Sequence, residues 1–237
     1  MLLYEFIVHF GGYFIEKISE DVLAHIDLDL LESGMEVSVP ELNGYPFEPI
    51  EKRDGLCLLV KDKNFSFVYH DNLEYLKELY SEVRIIESTE DEEIDQDAVL
   101  VIIPGGYVES QEAYARIENS NRFKTSLQKY AKRGSLYAEY AGLIYLGESC
   151  DEKEMSGILP ITFELTNKRE RLGYYKCEEN GVEKRGHAFH YTRITSAPPT
   201  EIKLYKVSKK SAKDGGYKQD KITATYLHTM WRLGDVI

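Results

Sequence analysis

The chain has 237 residues, 43% of them hydrophobic and 30% charged, with a formal net charge of −12; this is an ordinary globular balance with room for one large domain or two small ones. The acidic excess argues against a phosphate-backbone surface, so no nucleic-acid partner is expected, and the longest apolar runs, such as residues 97–104 (DAVLVIIP), are too short for a membrane-spanning helix. Cys57, Cys150 and Cys177 are odd in number and form no CxxC pair, and no secretory leader pattern opens the chain, so a cytoplasmic address without a disulfide framework or zinc knuckle is predicted.

The spacing of Ile15, Ile18, Val22, Ile26 and Leu30 predicts a helix, with Ser19 ahead of Glu20 and Asp21 as its start. Pro40, Pro46 and Pro49 together with Asn43-Gly44 predict a linker, and a domain boundary near residue 55. Residues 56–60 (LCLLV) predict a strand buried on both faces. Residues 72–82 read as an amphipathic helix with Leu73, Leu76, Leu79 and Tyr80 on one side, 83–86 as a strand, and the acidic run 87–97 as a solvated loop. Residues 98–103 and 135–138 predict adjacent or near-adjacent central strands, and 111–132 a helix ended by Gly134. Such alternation means βαβ units, hence a mostly parallel sheet covered on both faces. Past Gly173 the character changes. Strand-like runs at 172–178, 188–194 and 202–207 predict antiparallel additions, and the Lys-rich stretch 203–221, interrupted by glycine and aspartate, reads as a solvated loop.

Open α/β sheets place their sites at the carboxyl ends of strands. Two such ends carry distinctive residues: Pro104-Gly105-Gly106-Tyr107, and Ala138-Glu139-Tyr140-Ala141-Gly142-Leu143. Paired glycines let backbone N–H groups approach a ligand as an oxyanion hole requires, and the second stretch has the setting of a nucleophile elbow. Each alone also reads as an ordinary turn. His187 and His190 form an HxxH pair, but residues i and i+3 of a strand point to opposite faces, so no metal site is predicted. No G-x-x-x-x-G-K-[ST] loop occurs, and Gly11-Gly12 lacks the lysine, so no nucleotide cradle or other cofactor is implied. The aromatic stretch 65–72 (FSFVYHDN) reads either as core packing or as a contact for a ligand.

Taken in order, KDKNFSFVYHDNL at 61–73, PGGY at 104–107 with Glu109, AEYAGLIYL at 138–146, MSGILP at 155–160, LGY at 172–174, RGHAFHY at 185–191 and ATYLH at 224–228 form a longer pattern. It resembles the cobyrinic acid a,c-diamide synthase family over residues 56–231, and 22–31 (VLAHIDLDLL) resembles the tail of that family's N-terminal domain. The resemblance implies an α/β fold of class I glutaminase type: a flavodoxin-like, doubly wound, mostly parallel sheet with antiparallel additions in the C-terminal third. It implies a glutamine amidotransferase-like domain over 56–237, with 1–55 a helical arm and Pro-rich linker left from a synthetase half. In the family a cysteine thiolate at the elbow attacks glutamine, a histidine activates it, and backbone N–H groups bind the oxyanion. Ammonia then passes to an ATP-using half that amidates a corrinoid.

By this resemblance His228 falls on the histidine, Gly105 and Gly106 on the oxyanion turn, and Tyr140 on the nucleophile. Tyr107, Glu139, Ala141, Arg185, His187 and His190 fall in the pocket motifs. A phenol with a pKa of about 10 is a poor substitute for a thiolate. Ala141 replaces a glycine and is expected to resist the backbone conformation of the elbow; Ala188 replaces the glutamate of GHEFHYS, and Val108 a proline. The three cysteines read as buried structural thiols. These departures predict a glutaminase-inactive domain, its pocket filled by the Tyr140 ring, that acts by binding. The implied partners are a P-loop synthetase subunit or a second copy of the chain, with a tetrapyrrole as ligand. Two rival readings remain: an active amidotransferase subunit with another nucleophile, and an unrelated hydrolase on the same fold. The chain fits a stand-alone paralogue, a split subunit or a fragment equally.

Overall fold

A computed structural model describes residues 20, 23–35, 47–179, 182–200, 202–207 and 212–233. The chain divides into two compact units, Met1–Pro49 and Ile50–Ile237. In the first, α1 (Leu28–Met35) opens where the Asp27 carboxylate accepts the Leu30 N–H at 3.0 Å. This cap interrupts the periodic pattern, so Ile26 and Leu30 do not share one continuous helix. The other expected helix positions, Ile15, Ile18, Ser19 and Val22, and most of the Pro-rich linker lie outside the described residues.

The second unit begins with β1 (Arg53–Val60), α2 (His70–Leu79), β2 (Tyr80–Ile86) and β3 (Leu100–Ile103). It continues with α3 (Gln111–Ile117), α4 (Asn121–Ala131), β4 (Leu136–Glu139) and α5 (Ala141–Leu146). Strands β5 (Ser149–Cys150), β6 (Lys153–Glu154), β7 (Thr162–Leu165), β8 (Arg171–Glu179), β9 (Val182–His190) and β10 (Thr192–Ser196) follow. The chain then forms β11 (Lys203–Lys206), β12 (Ala212–Asp214), β13 (Gly216–Gln219), β14 (Ile222–Thr225) and β15 (His228–Thr229). The main sheet has the order β13-β14-β4-β3-β1-β2, parallel except at the edge strand β13. As expected, β3 and β4 are adjacent at its centre.

Strand periodicity explains the two-sided core. Leu58, Val60, Val101, Ile103, Leu136 and Ala138 share one core cluster with Ile117 of α3, Phe123 and Leu127 of α4, and the apolar residues of α5. Their neighbours Cys57, Leu59, Leu100, Ile102 and Tyr137 share the other with Tyr75, Leu76 and Leu79 of α2 and with Trp231. Alternate residues thus serve opposite faces, which is why the runs read as uninterrupted apolar stretches.

Local differences from the expected elements have physical causes. The helix expected over 72–82 ends at Leu79 because Tyr80 is extended and pairs with Arg53. The helix expected over 111–132 is two: the Ser120 N–H bonds Ile117 O at 3.0 Å, closing α3 with a tight turn, and Lys124 N–H bonds Ser120 O at 3.0 Å, starting α4. Within 87–97, Ser88 and Ile94 are buried, and Asp62 accepts the Ser88 and Thr89 N–H groups. The strand expected over 188–194 breaks between His190 and Thr192 into β9 and β10, which belong to different sheets. Far from being a single loop, 203–221 supplies β11, β12 and β13.

The antiparallel additions are a sheet of order β12-β11-β8-β9-β15 and a smaller one of order β10-β7-β5-β6, whose β5–β7 pair is parallel. Among the described residues no helix is long and apolar enough to cross a membrane.

Candidate functional site

The elbow lies where β4 turns into α5. Tyr140 has φ 37° and ψ −91°, a left-handed conformation that costs energy for any residue bearing a Cβ. Its N–H donates to Thr225 O at 2.8 Å, and its carbonyl accepts the Ile144 N–H at 2.9 Å, so both neighbouring strand and helix hold the strain. Gly142 allows the approach of α5 to β3, since a Cβ there would lie 2.2 Å from the Ile103 carbonyl oxygen. Ala141, fully buried as the first residue of α5, is not among the residues with positive φ. The strained position is Tyr140 itself, so the expectation that Ala141 resists the elbow is corrected.

The glycine turn after β3 is fastened to the loop 61–67. The Phe67 N–H donates to Gly105 O at 3.0 Å, and the Tyr107 N–H to Asn64 O at 2.7 Å. Gly106 has φ 151°, and a Cβ on it would meet the Asn64 carbonyl at 1.9 Å. Gly105 has a different reason to lack a side chain. A Cβ there would lie 2.2 Å from Cε1 of His228, so the glycine admits the imidazole.

His228 reaches the elbow through sheet pairing. Thr225 at the end of β14 lies opposite Glu139 at the end of β4, and three residues later His228 pairs with His187 of β9. The His228 ring is buried, 4.4 Å from Phe67 and 6.0 Å from Tyr140 between ring centroids. Its Nδ1 lies 3.4 Å from Oε2 of buried Glu139. The other Glu139 oxygen accepts the Tyr137 hydroxyl at 2.9 Å, the Thr229 N–H at 3.2 Å, the Thr229 hydroxyl at 3.0 Å and the Trp231 indole N–H at 2.9 Å. A carboxylate fixed this firmly orients the histidine, which is the base-and-orienter relation of nucleophilic catalysis.

The third member does not fit that chemistry. The Tyr140 hydroxyl donates to Oε1 of buried Glu109 at 2.5 Å, and Glu109 Oε2 accepts the Val108 N–H at 2.9 Å. Burial and the adjacent Glu109 carboxylate push the phenol far above its ordinary range, so no phenolate forms. Position 108 bears on this clamp, because a proline there has no N–H to give Glu109. Two of the departures from the family pattern therefore converge on one carboxylate.

The cleft encloses about 500 Å³ and is lined by Phe67, Gly106, Tyr107, Tyr140, His187, Phe189, His190 and His228 among others. Tyr107, Phe67 and Phe189 are partly exposed at it. His187 stacks on His228 at 6.4 Å, and burial lowers its pKa. His190 stacks on Tyr226 at 4.0 Å, its Nδ1 2.9 Å from Thr192 O, and its pKa falls to about 3 because of burial and the charge of Arg171. Among the described residues no group of three or more His, Cys, Asp or Glu is placed to hold a metal.

Tyr140, Gly105, Gly106, Tyr107, Glu139, His187, His190 and His228 thus come together. Arg185 does not: its side chain is 76% exposed and pairs with Glu183 at 2.6 Å, away from the cleft. Ala141 lies in the core and is not among the residues lining this cleft. Glu109 belongs to the glycine-turn motif, but no sequence signal points to its bond with the Tyr140 hydroxyl.

A mostly parallel sheet covered on both faces thus carries a strained βα elbow, an adjoining glycine turn and a Glu–His pair, the arrangement of a nucleophile elbow. The chain belongs to the CobB/CobQ-like glutamine amidotransferase domain family, whose pattern matches residues 57–235. It is 33% identical over 198 residues to the cobyrinate a,c-diamide synthase of Methanothermobacter thermautotrophicus, covering 77% of this chain and 43% of that one. Its identity to the enzyme of the same name from Herminiimonas arsenicoxydans is 30% over 176 residues, covering 72% and 40%. With the Listeria monocytogenes enzyme it is 28% over 236 residues, covering 90% and 50%. The chain therefore spans half or less of the length of these relatives.

Proposed function

We propose that this chain is a cobyrinate a,c-diamide synthase-like amidotransferase domain whose glutaminase chemistry is lost and which acts by binding a synthetase partner. The observation that carries the reading is the hydrogen bond from the Tyr140 hydroxyl to Glu109, which holds a protonated phenol at the nucleophile position. No other thiol takes its place: Cys57, Cys150 and Cys177 are buried, and burial pushes the Cys57 and Cys150 thiols up to about 12. A synthetase partner is proposed because the relatives matched are themselves a,c-diamide synthases. The aromatic residues at the cleft suit a flat, largely apolar ligand such as a tetrapyrrole as a second binding function.

The test is glutamate release by the purified chain from glutamine, together with calorimetry. No turnover is expected; because the Tyr140 ring lines a cleft of about 500 Å³ and does not fill it, contrary to expectation, calorimetry reports whether glutamine still enters without being hydrolysed. The preserved Glu139–His228 pair favours the rival reading, a working glutamine-dependent subunit that supplies ammonia. Glutamate release by the unaltered chain would establish that rival and remove the present one.

A further inference from the structure

His190 lines the elbow cleft and also a second cavity of about 410 Å³, which it shares with Arg171, Thr195, Ser196 and Lys213. Arg171 is only 7% exposed. Its guanidinium carbon lies 5.1 Å from the Tyr226 ring centroid and 5.9 Å from that of Tyr175. One nitrogen, Nη2, donates to the Asp214 carbonyl at 2.5 Å. The other, Nη1, is buried with no hydrogen-bond partner among the described residues. Nor does any described carboxylate form an ion pair with it.

An unpaired buried charge is expensive, and a guanidinium does not escape by losing its proton. Aromatic faces offset part of that cost. The surroundings point to what offsets the rest. A further cavity of about 360 Å³ also borders Arg171 and is lined by Arg169, Lys206 and Lys213. Cations therefore gather here in a chain whose net charge is −12. Of the neighbouring carboxylates, Asp214 is paired with Lys203, and Glu170 is the one other acidic residue lining either space among those described. The cavities have the size of small-ligand sites.

We propose that this trough binds a small anion bearing a carboxylate or phosphate group, with Arg171 as the buried donor and Lys213, Lys206 and Arg169 at its rim. A planar guanidinium recognises either oxyanion through parallel N–H donors. The site is separate from the elbow chemistry and does not depend on the loss of glutaminase activity.

Calorimetry at constant ionic strength tests it, with inorganic phosphate and citrate titrated separately into the whole chain. Saturable binding of at least one is expected; phosphate alone identifies a phosphate ligand, citrate alone a carboxylate ligand, and both their shared chemistry. Arg171→Gln should weaken binding about tenfold, the loss of one charge-assisted hydrogen bond. The Lys206→Ala, Lys213→Ala double variant alters the rim and should weaken it roughly threefold or more. If Arg171→Gln fails to fold, the double variant decides. No saturation by either anion below about 10 mM, or undiminished affinity in the double variant, would overturn the proposal.

Discussion

Two buried charged centres lie on either side of His190, and they are treated in opposite ways. On the cleft side, Glu139 and Glu109 are satisfied: one holds Tyr137, Thr229, Trp231 and His228, the other holds Tyr140 and Val108. On the far side, Arg171 has a carbonyl and two aromatic faces but no carboxylate partner among the described residues. Satisfied polar networks stiffen a fold, whereas an unsatisfied buried donor calls for a partner, here the proposed anion. The family's reactive position belongs to the first kind, and a position with no recognised motif belongs to the second.

The largest expected effect is on the first network. Glu139→Ala strands four buried donors, the Tyr137 hydroxyl, the Thr229 N–H and hydroxyl, and the Trp231 indole N–H, so about 4 kcal/mol of stability should be lost in urea unfolding. A loss below about 1 kcal/mol would mean that the carboxylate does not organise the site.

Next comes pH. His190 has a folded pKa of about 3 against about 6.5 when unfolded, and Arg171, Lys213 and His228 all disfavour its charging. Between those values the unfolded chain binds the extra proton, so the stability tied to the neutral ring is complete above about pH 6.5 and is lost as pH falls toward 3. Relative to His190→Phe, the native chain should lose on the order of a few kcal/mol by about pH 4. Parallel melting curves for the two proteins would contradict the assignment.

A smaller effect isolates the elbow clamp. In a double-mutant cycle, Tyr140→Phe and Glu109→Leu should couple by about 1–3 kcal/mol, because either change alone leaves the other group without its partner. Additive losses would show that the hydrogen bond is incidental. The smallest effect belongs to Arg185→Ala, whose exposed ion pair should change stability by less than about 0.5 kcal/mol and leave anion binding intact. That null result sharpens the contrast with Arg171.

The parallel core was legible in the sequence because β1, β3 and β4 are apolar on both faces, a pattern few other settings produce. Elements that depend on distant pairing were less legible. Tyr80 carries helix-compatible chemistry and still joins β2, because Arg53 waits for it across the sheet. The convergence of Tyr140, Gly106 and His228 followed from the motif order rather than from any local signal. Arg171 was missed because the strand was expected to start at Leu172. Extending it by one residue puts Arg171 in phase with buried Tyr175 and Cys177, and alternation then exposes the anomaly. Arg185 was misplaced for the converse reason: it shares a motif with the cleft histidines but lies toward the exposed end of β9.

Glutamate release by Tyr140→Cys tests the central claim most directly. The account predicts no turnover in the unaltered chain and slow turnover in the variant, where the N-terminus of α5 favours a thiolate and His228, oriented by Glu139, serves as base. No change at Ala141 is needed, since its backbone does not carry the strain. Adding His228→Ala to the variant should abolish the gain, because nucleophile and base act as a unit. Turnover by the unaltered chain equal to that of Tyr140→Cys would contradict the account, since the nucleophile would then lie elsewhere.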